Sequence, residues 1–129
     1  MFFNIDPSNG LAIYDQVARQ VVFAVSDGTL KSGDLVPSVR ELARELAINP
    51  NTVARAYRQL QDDGVLQSVR GTGLAVADGA ASHCEAQRLA LLRNRVQQVL
   101  MEAKQSRLDI SQLRLLVESE LAAIDGNEV

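Results

Sequence analysis

The sequence predicts a mainly α-helical fold with one small β-hairpin, ending in a pair of helices. Three observations carry this reading. Apolar residues recur at three- and four-residue spacings in five separate stretches. Capping signals stand ahead of three of those stretches, at Ser38, Asn49 and Asp109. Two glycines, Gly71 and Gly73, divide the short β-type runs Val65–Val69 and Leu74–Ala77.

The first helix is expected over Ala12–Asp27, where Tyr14, Val17, Ala18, Val21, Val22 and Val25 share one face and Gly28 sits as a C-cap. A turn-rich stretch, Thr29 to Asp34, follows. Ser38 and Glu41 form a capping box, in which the hydroxyl satisfies one free helix N–H and the carboxylate reaches back to another. The second helix then runs from about Val39 to Ala47, with Val39, Leu42, Ala43 and Leu46 as its apolar stripe. Pro50 is suited to a first helical position, so Asn49 is the expected N-cap of the third helix. That helix buries Val53, Ala56, Tyr57 and Leu60 and stops near Asp63–Gly64. The hairpin closes the series, and helix, helix, turn, helix, hairpin is the order of a winged helix-turn-helix domain. Asp78–Ser82 reads as a linker. Beyond it, Leu89, Leu92, Val96, Val99 and Ala103 mark a fourth helix of roughly six turns. Asp109 with Gln112 forms a second capping box, flanked by Leu108 and Leu113 as a hydrophobic staple. A fifth helix carries Leu113, Leu116, Val117, Leu121 and Ile124 on one side. The expected domains are therefore residues 1–78, winged helix-turn-helix, and 79–129, a helical tail.

Composition narrows the function. At 129 residues the chain holds one ordinary domain and an appendage, not two full cores. The single Cys84 rules out an intramolecular disulfide and suits a reducing compartment. No apolar run approaches the ~20 residues that span a bilayer, and Met1–Asp6 lacks the pattern of a secretory signal. A cytoplasmic protein without a membrane partner is expected. The formal net charge of −3 disfavours non-specific attraction to nucleic acid. It leaves specific binding open, because phosphate contacts need a few basic residues on one face.

The third helix begins Pro50-Asn51-Thr52-Val53-Ala54-Arg55. A recognition helix presents its N-terminal residues to base edges in the major groove. Asparagine bonds adenine bidentately, threonine offers a hydroxyl and a methyl, and arginine grips guanine or phosphate, so Asn51, Thr52 and Arg55 are the base-reading candidates. The competing account makes Asn51 and Thr52 helix caps and Arg55 a solvated residue. Arg40 stands in the first turn of its helix, against the positive end of the dipole, where a phosphate or a base would compensate it. Its alternative is a surface pair with Glu41 or Glu45. Arg44 lies one turn further on, and Ser38 adds a hydroxyl. At the hairpin tip, Arg70, Gly71 and Thr72 suit close approach to a sugar-phosphate ridge or a narrow minor groove.

From Gly33 to Val76 the chain resembles the GntR family of bacterial regulators. The resemblance rests on Gly33-Asp34, Pro37 to Ala43, Asn49 to Val53, Ala56-Tyr57, Leu60, Gly64 and Gly71-Thr72-Gly73, with Ile13 to Val17 upstream. It implies a double-stranded DNA operator as partner and assigns DNA contacts to Arg40, to the helix tip at Pro50, Asn51 and Thr52, and to the wing glycine Gly71. Many members carry an arginine where this chain has Pro50, which shifts more of the reading to Asn51 or Arg55. Val36 also replaces the usual leucine before proline.

The Asn-Pro-Asn-Thr version and the short tail look like the YtrA-type branch. About 50 residues after the wing are too few for an effector domain with its own pocket. Two amphipathic helices leave an apolar face that a second copy would cover. The expected dimer contacts are Leu89, Leu92, Val96 and Val99 on one helix and Leu113, Leu116, Val117 and Leu121 on the other. A two-fold dimer predicts an inverted-repeat operator with half-sites ~10 bp or a multiple apart. The resemblance adds autorepression of a transporter operon. No cofactor is expected, and His83 beside Cys84 supplies too few donors for a metal site. The sequence names no small-molecule effector. An enzyme is not expected; the rival reading is a winged helix that docks on protein.

Overall fold

A computed structural model describes residues 4–127. The elements are α1 (Ile13–Ser26), α2 (Val39–Leu46), α3 (Pro50–Asp62), β1 (Leu66–Val69), β2 (Gly73–Val76), α4 (Ala80–Gln105) and α5 (Ile110–Asn127). They form two compact units, the first reaching Ala90 and the second beginning at Leu91. Within the first unit the order is that of a winged helix-turn-helix.

Before α1, the chain is held by one buried amide. The Gln16 Nε2 donates to the carbonyls of Asp6 at 2.8 Å and Leu11 at 3.0 Å and to the Asn9 Oδ1 at 3.0 Å. Its Oε1 accepts from the Asp6 N–H at 2.9 Å. A buried amide so fully engaged repays its desolvation and sets where α1 begins. Val17, Val21, Val22 and Val25 of α1 pack into one core with Leu42, Val53, Tyr57, Leu60, Val65 and Val76.

The α2–α3 turn depends on a left-handed residue. Ala47 takes φ 55, its N–H donates to the Arg44 carbonyl at 3.3 Å, and the Ile48 N–H donates to Ala43 at 3.0 Å. Glycine is the usual occupant of such a C-terminal position because a Cβ is disfavoured there.

β1 and β2 pair antiparallel, with Leu66 opposite Val76 and Val69 opposite Gly73. In the sequence Thr29–Asp34 is turn-rich and Leu35-Val36 carries no pattern of an element. The structure adds a third, short ribbon there: the Gly33 N–H donates to Val76 at 2.9 Å, the Val76 N–H to Asp34 at 2.9 Å, and the Val36 N–H to Leu74 at 3.0 Å. Gly33, Asp34 and Pro37 hide this segment from a β pattern, because it is paired by its backbone rather than by alternating side chains.

The linker expected at Asp78–Ser82 is corrected by the structure. Asp78 and Gly79 form the turn, tied down by the Ser32 hydroxyl, which donates to Asp78 Oδ1 at 2.9 Å, and Ala80 already opens α4. Alanine is the best helix former, and Ala80 and Cys84 are buried against the winged-domain core, so this stretch is ordered by packing. Burial raises the Cys84 thiol pKa.

The second unit is built from the end of α4 and α5. The turn between them has Arg107 at φ 61, with the Leu108 N–H donating to Ala103 at 3.0 Å. Gln112 Oε1 accepts from the Asp109 N–H at 3.4 Å, the return half of the expected capping box. Among the described residues none beyond Cys84 is buried.

Two outcomes follow. Ala47→Gly is expected to stabilise the protein by roughly 1 kcal/mol, read as a raised urea midpoint with an unchanged slope. Cys84 is expected to resist a thiol reagent at pH 8 in the native protein and to react at once in urea. Rapid native labelling would contradict the packing of α4 onto the core.

Candidate nucleic-acid interface

Of the residues expected to bind DNA, Ser38 also caps a helix start, whereas Arg40, Asn51 and Thr52 do not. At α2 the box is complete: the Glu41 N–H donates to the Ser38 Oγ at 3.1 Å and the Ser38 N–H to Glu41 Oε1 at 3.4 Å. The Ser38 hydroxyl accepts here, which leaves its own proton available to an anion. At α3 the cap is Asn49, whose Oδ1 accepts from the Asn51 N–H at 2.8 Å. The capping explanation for Asn51 and Thr52 therefore falls to Asn49 instead. The Asn51 side chain is exposed, while Thr52 is half-buried.

Arg40 and Arg44 are both exposed, and neither forms an ion pair among the described residues, so the surface pair with Glu41 or Glu45 is absent. Arg40 lies in the first turn of α2, next to Glu41 in sequence, without an ion-pair partner among the described residues.

Tyr57 locks the two helices together. Its hydroxyl donates to the Pro37 carbonyl at 2.8 Å, joining the middle of α3 to the residue before the α2 cap. Burial, and then the charges of Glu41 and Glu45, push the phenol well above its ordinary pKa, so it stays a donor. An open cleft of about 590 Å³ beside it is lined by Leu35, Ser38, Glu41, Tyr57, Thr72 and Gly73. The start of α2 and the wing thus come together around one groove.

The wing tip is tight. Gly71 has φ 80 and Gly73 φ 114, and the Thr72 N–H donates to Val69 at 3.0 Å. The Thr72 hydroxyl also donates to the Val69 carbonyl, at 3.2 Å, so it closes the turn from inside. Arg70 and Gly71 are exposed at the tip.

Arg55 holds a position that no sequence spacing indicated. Its guanidinium carbon lies 3.7 Å from the centroid of the Tyr14 ring on α1. Such a contact contributes about 0.5–1 kcal/mol at an exposed site. Tyr14 and Arg55 are remote in sequence, and only the packing of α1 on α3 makes them neighbours.

The expected dimer residues are exposed in the single chain. Leu89, Leu92, Val96 and Val99 on α4 and Leu116, Val117 and Leu121 on α5 range from 44% to 59% exposed. Leu113 is half-buried and, with Val96, Leu100, Ile110 and Val117, lines an apolar groove within the second unit.

The sequence profile described as bacterial regulatory proteins, gntR family, matches residues 13–76. The chain belongs to the GntR family. Its first unit is the winged helix-turn-helix DNA-binding domain of that family. Similarity extends through the tail. The HTH-type transcriptional repressor YtrA of Bacillus subtilis is 29% identical over 96% of this chain and 95% of its own. A GntR family transcriptional regulator from Listeria monocytogenes superposes with a TM-score of 0.69, at 27% identity, over 89% of this chain and 98% of that one. The DNA-binding domain of AraR, solved in complex with operator ORE1, superposes with a TM-score of 0.50 at 25% identity, over 60% of this chain and 94% of that one. The GntR-family chain is a DNA-binding regulator of YtrA-like type. Among the described residues no helix is long and apolar enough to cross a membrane.

The α2 cap gives this family member a simple test. Ser38→Ala removes the acceptor for the Glu41 N–H and is expected to cost about 1 kcal/mol of stability by urea denaturation. Glu41→Gln, which keeps the return bond, is expected to cost less.

Proposed function

We propose that this protein is a dimeric transcriptional repressor that reads an inverted-repeat operator, acting on its own transporter operon in the cytoplasm. The observation that carries the DNA reading is the state of Arg40 and Asn51. Both are exposed at helix starts whose caps are satisfied by Ser38, Glu41 and Asn49, so their side chains are left for an external partner. Arg40 would engage a phosphate or guanine, and Asn51 the edge of an adenine. Thr52 and Arg55 would extend the contact along α3, Arg44 and Ser38 along α2, and Arg70 and Gly71 at the wing.

The AraR–operator complex supports DNA as the ligand of this fold, and the B. subtilis relative supports repression. Dimerisation is supported by the tail. A stretch with no buried side chain and a run of half-exposed leucines and valines gains most by packing against a copy of itself. Two recognition helices related by a two-fold axis would then read half-sites ~10 bp or a multiple apart. Any effector site would have to be built where the two copies meet.

The first test is fluorescence anisotropy with the DNA upstream of the protein's own gene and a scrambled duplex at several salt concentrations. Wild type is expected to prefer the upstream DNA and to weaken steeply with salt. Arg40→Ala and Asn51→Ala are each expected to lose roughly ten- to a hundredfold in affinity, corresponding to ~1–3 kcal/mol per good contact. Equal, weak binding of both duplexes with no effect of either variant would favour protein docking instead.

For the tail, sedimentation of wild type is expected to give a dimer. Val117→Glu, which places a charge in the apolar groove, is expected to give a folded monomer with weaker operator binding. Deleting the gene should raise transcription of its neighbours if it autorepresses.

A further inference from the structure

We propose that Tyr14 and Arg55 form a preorganised clamp for a DNA backbone phosphate, with Arg55 as the phosphate ligand and Tyr14 as the residue that positions it. This rests on the DNA-binding reading above and changes the part assigned to Arg55, from reading a base to gripping the backbone.

The first ground is what Arg55 lacks. Arg19 pairs with Asp15 at 3.1 Å, so the acid beside Tyr14 is already engaged. Arg55 is exposed and is held by the face of a ring. A carboxylate partner would neutralise the guanidinium and occupy its N–H donors. An aromatic face does neither: it fixes the group through its quadrupole and leaves the charge and the five N–H bonds for an anion.

The second ground is place. Tyr14 is half-buried and packs against the core, so it is a fixed platform rather than a mobile side chain. The contact draws the Arg55 head toward α1, to the flank of α3 rather than to its tip at Asn51. In a docked helix-turn-helix the tip of the recognition helix meets base edges, while the flanking elements meet the sugar-phosphate ridge. An arginine with open donors on that flank suits a phosphodiester, which it binds in a planar fork. Holding the long side chain in place beforehand removes part of the ordering cost of binding.

The test uses the full chain and two 30-bp duplexes, the upstream DNA of its own gene and a mixed-sequence duplex, over about 50–200 mM salt. Arg55→Ala is expected to weaken both by the same factor, roughly tenfold for a charge-assisted contact. It is also expected to reduce the log–log salt slope by about 0.9 for each protomer bound. Tyr14→Phe keeps the ring face and should match wild type. Tyr14→Leu should lose severalfold in affinity, and that loss should vanish in the Arg55→Ala background. Circular dichroism checks that Tyr14→Leu is folded, and Arg55→Ala, at an exposed site, tests the ligand independently of it. An unchanged salt slope in Arg55→Ala, or a loss confined to the upstream duplex, would overturn the phosphate assignment. A folded Tyr14→Leu with wild-type binding would overturn the positioning part. If wild type binds neither duplex at the lowest salt, the regulator reading falls and this inference with it.

Discussion

The buried face of α3 is the constraint on which the first unit depends. Val53, Ala56, Tyr57 and Leu60 are each at most 2% exposed, and against them pack the valines of α1, Leu42 of α2 and Val65 beside the hairpin. A helix clamped on one side in this way has its opposite side set by the 3.6-residue period alone. Asn51, Arg55 and Arg58 are on that outer side because the apolar positions are where they are. Tyr57 extends the clamp with a polar bond, since its hydroxyl reaches the Pro37 carbonyl and ties the start of α2 to the same helix. Losing that bond would leave a buried carbonyl or hydroxyl unsatisfied, at about 1–3 kcal/mol.

The same economy governs the polar groups. Each helix start has free N–H groups that must be satisfied, and in α2 and α3 this is done locally, by Ser38 with Glu41 and by Asn49. Arg40 and Asn51 are thereby relieved of capping, while Ser38 both caps α2 and remains a candidate contact. Arg40, at the positive end of α2, has no ion-pair partner among the described residues, and a phosphate there would be favoured by the helix dipole. Thr72 is the opposite case. Its hydroxyl closes the wing turn, and Arg70, Gly71 and Thr72 are all exposed at the tip.

The tail follows another logic. The buried leucines and valines all belong to one cluster in the first unit, whereas among the described residues none beyond Cys84 is buried. Two helices in a hairpin cannot enclose each other's apolar side chains, because each offers only one stripe and the other flank faces water. The dimer proposed above would give that stripe its cover.

Local rules were enough for much of this. The capping box at Ser38, the Gln112 bond back to the Asp109 N–H, the Asn49–Pro50 helix start and the periodicity of five helices can all be read from residues within a few positions of one another. The hairpin was legible too, because Gly71 and Gly73 mark its turn. So was the exposure of Arg40, Asn51 and Arg55, since the buried stripe of a helix dictates its outer face, while Arg70 follows from its place at the hairpin turn. Tertiary structure decided what depends on distant partners. The ribbon at Gly33–Val36 exists through backbone bonds to β2, with no side-chain pattern of its own. The supposed linker became helix because Ala80 and Cys84 meet a core assembled elsewhere. Arg55 rests on Tyr14 only because α1 packs across α3. Periodicity and capping act within one element, whereas these three features depend on which elements meet, and hydrophobic burial, being non-directional, does not write the partner into the spacing.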